Sequence, residues 1–129
     1  MRLTVSKRTD LAIRAYRYLH AHQGRIPGRQ VADAVGTSVP FLSQVLTPLV
    51  SAGWIDSRTG PSGGYQLNKQ AADLTLLEVV QAVEGPMVDG QCVLDHSACD
   101  HANPCVLHTM WSGARKGLME SLRDVKVLD

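Results

Sequence analysis

Three cysteines and a histidine offer the most distinctive chemistry in this chain. Cys92, Cys99 and Cys105 follow the spacing C-x6-C-x5-C, and His108 comes after two further residues. An odd number of cysteines argues against a disulfide framework, and their clustering argues for one shared ligand. Thiolates are soft, strongly donating ligands that suit iron–sulfur clusters. Zinc is a rival ligand, because His96 and His101 interleave with the cysteines. Structural zinc sites, however, favour tighter pairs of about two to four intervening residues. A thiol redox switch, or three unligated loop cysteines, would also fit this spacing. An enzyme built on Cys105 and His108 would lack an oxyanion-type glycine turn and a third orienting group.

The elements around these residues must position them. Residues 87–103 show no hydrophobic period. Asn103-Pro104 then reads as a cap and first helical residue, which predicts a last helix from Cys105 to Leu122. Cys105 is thus expected in a first helical turn, where the helix dipole and unpaired N–H groups would lower its pKa and favour an anionic cluster. His108, three residues on, would project from the same face. Leu107, Met110, Trp111, Ala114, Leu118 and Leu122 form the apolar stripe of this helix. Before the loop, Thr75-Leu-Leu-Glu78 is a capping box that starts a helix through Val83, ended by Gly85-Pro86.

Upstream, the pattern is three helices and a hairpin. Leu11, Ala12, Ala15, Tyr16 and Leu19 stripe a first helix over 7–22. Pro27 suits the first turn of a short second helix that Gly36 stops. Ser38 caps a third helix over 39–52, with Leu42, Val45, Leu46, Leu49 and Val50 on its buried face. Pro48 is expected to weaken or bend that helix near Gln44. Trp54–Arg58 and Tyr65–Asn68 read as strands around the turn Thr59-Gly-Pro-Ser-Gly-Gly64.

This order is that of a winged helix, mainly α with a small β-hairpin. The second and third helices also fit a helix-turn-helix. Ala32 stands where two helices cross tightly, Gly36 at the turn, and Val31, Val35, Leu42 and Val45 at the buried positions. The outer face of the third helix would then carry Ser38, Pro40, Phe41, Ser43, Gln44 and Thr47. Gln44 can pair with the edge of adenine, Phe41 can meet a thymine methyl, and the hydroxyls can bond bases or phosphates. In the wing, Arg58 supplies charge, while Ser62 and Gly63 let the backbone approach a phosphate. The charge distribution agrees: residues 1–60 hold eight Lys/Arg against three Asp/Glu, whereas residues 61–129 hold five against nine. One half can therefore face a polyanion while the whole chain stays near neutral.

The motifs Gly60-Pro-Ser-Gly-Gly-Tyr65 and Leu74-Thr-Leu-Leu-Glu-Val-Val-Gln-Ala-Val-Glu-Gly85, with the opening Met1-Arg-Leu-Thr4, resemble the IscR/NsrR family of bacterial winged-helix regulators. The resemblance extends over nearly the whole chain. It implies a homodimer joined through the long last helix and bound to a roughly palindromic double-stranded DNA operator. It also implies an iron–sulfur cluster on Cys92, Cys99 and Cys105. Cys105-Val-Leu-His108-Thr-Met-Trp111 is similar to members in which a histidine completes a [2Fe-2S] cluster. Thr9-Asp10 is similar to members in which an aspartate from the partner subunit completes a [4Fe-4S] cluster. His108 and the [2Fe-2S] form are preferred. The chain then divides into a winged-helix DNA-binding domain (1–84), a cysteine-containing ligand loop (85–104), and a dimerisation helix and tail (105–129). The cluster would set operator binding, most simply as a repressor, by changing the spacing of two reading heads. The 44 % hydrophobic content allows a core without any run of about 18 apolar residues, and MRLTVSKRTD lacks the apolar stretch of a signal peptide. The expectation is a cytoplasmic protein with no membrane partner.

Overall fold

A computed structural model of the chain describes residues 3–86, 93–94, 98, 100 and 102–129. Helix α1 (Lys7–Ala21) starts where the Ser6 hydroxyl accepts the Thr9 N–H. It buries Leu11, Ala12, Ala15, Tyr16 and Leu19, the stripe read from the sequence. Helix α2 (Gly28–Val35) begins one residue after Pro27, which is the cap rather than part of the first turn. Gly36 ends α2 in the left-handed region at φ 76°, a conformation open to glycine at little cost. Helix α3 (Val39–Ser51) leaves α2 at 98°, as a helix-turn-helix requires.

Pro48 does not break α3, which continues through it to Ser51. The ring removes the N–H that would meet the Gln44 carbonyl, so the cost is confined to one ladder bond. Burial of Leu42, Val45, Leu46 and Leu49 holds the helix together across that gap.

The wing is an antiparallel pair, β1 (Ile55–Arg58) and β2 (Gly64–Leu67), with Ile55 opposite Leu67 and Arg58 opposite Gly64. Trp54 and Asn68 lie just outside the strands. Ile26 adds a short third rung, exchanging backbone bonds of 2.9 and 2.8 Å with Tyr65. A 3₁₀ turn over Lys69–Asp73 leads to helix α4 (Leu76–Glu84), whose Thr75–Glu78 capping box forms as expected. The last helix, α5 (His108–Asp124), packs on α4.

The end of the chain returns to the winged unit. Leu76 N–H donates to the Val125 carbonyl at 2.9 Å, and Val127 N–H donates to the Leu74 carbonyl at 2.8 Å. Val127 is buried in the same core as Leu11, Leu46 and Leu49. Arg17 donates to the carbonyls of Val127 and Asp129 at 2.7 and 2.9 Å, and Lys126 pairs with Asp73 at 2.8 Å. The tail is therefore a latch on the winged unit rather than an appendage of the last helix.

Candidate nucleic-acid interface and metal site

Ser38 caps α3 by accepting the Phe41 N–H, which orders the first turn of the helix. Pro40, Ser43, Gln44 and Thr47 are exposed on α3. Thr47 differs from the simple expectation. Its hydroxyl donates back to the Ser43 carbonyl at 2.7 Å, which commits its proton to the helix and leaves the oxygen as an acceptor only. Phe41 is half-buried, and the Arg8 guanidinium lies 5.8 Å from its ring centroid.

Arg25 connects the wing to the reading head. Its guanidinium pairs with the Asp56 carboxylate and donates to the Gly64 carbonyl at 3.0 Å. One largely buried side chain thus grips both strands. Asp56 also pairs at 3.5 Å with the Arg58 guanidinium, which is 72 % exposed. Gly63 has a different role from the one read in the sequence. Its N–H bonds the Gly60 carbonyl at 2.9 Å, which commits the donor to the turn. A Cβ there would lie 2.4 Å from the Arg58 carbonyl oxygen. At Gly64 it would lie 2.2 Å from the Ile26 carbonyl oxygen. Gly63 and Gly64 are thus required by close backbone packing within the fold. Ser62 remains the exposed polar residue at the tip.

Of the cysteines, Cys105 is described; Cys92 and Cys99, with His96 and His101, lie outside the described residues. Cys105 is not in a helical turn, contrary to expectation. The His108 N–H donates to the Cys105 carbonyl at 3.1 Å, closing a turn ahead of α5, and the 2.8 Å bond from Trp111 to Leu107 marks the start of the helix. Pro104 suits this turn as well as it suits a first helical residue, and packing decides between them. The helix-dipole argument for Cys105 therefore does not hold. One backbone bond links Cys105 to His108, and both residues are half-buried.

Asp10 lies in the first turn of α1 and is engaged by Arg14 at 3.0 and 3.2 Å. Arg14 also donates to the Val35 carbonyl at the end of α2, 3.0 Å away. Next to Asp10, the buried Thr9 donates to Glu84 at 2.6 Å, and Ser6 N–H meets the same carboxylate. The end of α4 is thus pinned to the start of α1. No sequence periodicity signals this link, since it joins polar residues 75 positions apart.

A helix-turn-helix followed by a packed wing is the architecture of a winged-helix DNA-binding regulator. Residues 5–129 match the family model Rrf2, described as an iron-dependent transcriptional regulator, and the chain belongs to that family. It is a transcriptional regulator and not an enzyme. The chain is similar to the HTH-type transcriptional regulator IscR of Photorhabdus laumondii, 31 % identical over 111 residues, covering 86 % of this chain and 67 % of that protein. It is similar to protein rrf2 of Nitratidesulfovibrio vulgaris, 28 % identical over 129 residues, covering all of this chain and 86 % of that one. Among solved structures, CymR, the global cysteine regulator of B. subtilis, shares the fold with a TM-score of 0.77 at 21 % identity, covering 98 % of this chain and 94 % of that one. IscR of T. potens follows with a TM-score of 0.71 at 25 % identity, covering 98 % and 85 %.

Proposed function

We propose that this regulator is a homodimeric repressor whose operator binding is controlled by an iron–sulfur cluster on Cys92, Cys99 and Cys105. One observation carries the reading: a single helix connects the cysteine turn to the reading head. Helix α5 starts three residues after Cys105, and the tail that follows it is bonded into the core of the winged unit. Its 17 residues span roughly 25 Å at 1.5 Å per residue. Rearrangement at the cysteine end would therefore move a rigid lever fastened to the reading head.

The same helix supports the homodimer. Met110 and Leu118 are 56 % and 49 % exposed, and α5 has no fully buried residue. Such a stripe suits a second copy of the helix, which would fix the spacing of two reading heads on a palindromic operator. Ser38, Pro40, Phe41, Ser43, Gln44 and Thr47 would enter the major groove, and Arg58 and Ser62 would follow the backbone.

When bound, the cluster supplies a redox-responsive centre held by soft thiolates. The turn between Cys105 and His108 supports His108 as the fourth ligand, and the resemblance of Cys105-Val-Leu-His108 to histidine-ligated members supports a [2Fe-2S] form. His108 is joined to Cys105 by one turn, whereas Asp10 lies at the start of α1 and would have to come from the partner subunit. Anaerobic purification with iron and acid-labile sulfide counts tests this. The reading expects both elements in the native protein, their loss in Cys105→Ala and His108→Ala, and their retention in Asp10→Ala. Loss in Asp10→Ala with retention in His108→Ala would exchange the fourth ligand. Iron or zinc without sulfide would overturn the cluster.

A further inference from the structure

The recognition surface extends beyond α3 to a cation on another helix. Arg8, in the first turn of α1, is exposed, and its guanidinium lies over the face of Phe41 in the first turn of α3. Nearby carboxylates have partners of their own. Asp10 is held by Arg14, and Glu84 receives Thr9 and Ser6. Among the described residues, no acid pairs with Arg8. A guanidinium lying on an aromatic face keeps its N–H edges outward, where they suit bidentate phosphate binding. The ring also limits the motion of a long side chain, which lowers the entropy lost on contact.

We infer that Arg8 is a DNA-phosphate contact and that Phe41 is the platform that positions it. Phe41 then serves the interface chiefly by holding this cation beside the groove that α3 enters, and less by touching a thymine methyl. This inference rests on the DNA-binding reading above. It adds a contact from α1 that the helix-turn-helix pattern does not contain.

Salt dependence tests it. A duplex carrying a site selected by the native protein from a random-sequence pool serves as the probe. Each phosphate contact contributes about 0.9 to the slope of log affinity against log salt. Arg8→Gln is expected to flatten the slope by about 0.9 for each bound protomer, with the sequence preference unchanged. Phe41→Leu is expected to remove part of that contribution, so Arg8→Gln changes the slope less in the Phe41→Leu background than alone. Far-UV circular dichroism and Tm check that each variant folds. An unchanged slope in folded Arg8→Gln overturns the inference while leaving DNA binding intact. A flattened slope of the same size in both backgrounds shows a general charge effect and overturns the role of Phe41. Failure of the native protein to select any sequence would instead sink the DNA-binding reading itself.

Discussion

The winged unit and α5 solve the folding problem in opposite ways. The first buries Leu11, Tyr16, Leu42, Leu46 and Leu49 within one chain. The second buries none of its own residues completely and leaves Met110 and Leu118 in the open. A core of the first kind stabilises a subunit, whereas an open stripe of the second kind gains by meeting another subunit. If α5 is the dimer interface as proposed, stability and assembly fall to different segments, with the Val125–Asp129 latch joining them.

The largest expected effects break this contrast at its two ends. Leu46→Ala should cost about 2–5 kcal/mol, because it removes buried methyl groups and leaves a cavity. Thermal or urea unfolding would measure the loss. Leu118→Asp should instead convert dimer to monomer with helical content kept, as seen by sedimentation and circular dichroism. A Leu118→Asp protein that remains dimeric would remove α5 as the proposed interface.

The latch comes next. Val127→Ala should cost about 2 kcal/mol for two buried methyl groups and the space they leave. It should also weaken binding to a two-half-site duplex more than to a single half-site, because it loosens α5 and spares α3. Equal losses on both duplexes would show that the tail only stabilises the winged unit.

A smaller effect sharpens the picture of the core. The buried Tyr16 hydroxyl donates to the Ala71 carbonyl. Burial, reinforced by Glu78, raises its pKa from 10.0 to about 12. The folded state thus keeps this proton more tightly than the unfolded chain does. The stability it contributes is complete below pH 10 and is lost as the pH rises through about 12. Tyr16→Phe should cost about 1–3 kcal/mol at neutral pH, because the Ala71 carbonyl loses its donor. It should also flatten this alkaline limb, which urea midpoints measured from about pH 8 to 11 would show.

Much of the winged unit was legible in the sequence because its signals are local. Ser38, Gly36 and the Thr75–Glu78 box act within one turn, and the stripes of α1 and α3 repeat often enough to be read. The latch was not legible. Val125-Lys-Val-Leu128 is too short to show a period, and its partner Leu74 lies far away in the chain. Ile26 forms a strand rung only because Tyr65 is brought beside it. The start of α5 was misplaced because Pro104 fits both a turn and a first helical residue. The stacking of Arg8 on Phe41 has no local sequence signal, because the two residues are 33 positions apart. Of the proposed ligands, Cys105 and His108 are placed in the turn ahead of α5, while Cys92 and Cys99 lie outside the described residues.

Operator affinity at fixed salt, measured anaerobically before and after the cluster is removed, tests the central claim most directly. The lever account predicts different affinities for the two forms on a two-half-site duplex and nearly equal affinities on a single half-site. Equal affinities for the two-half-site duplex would contradict it.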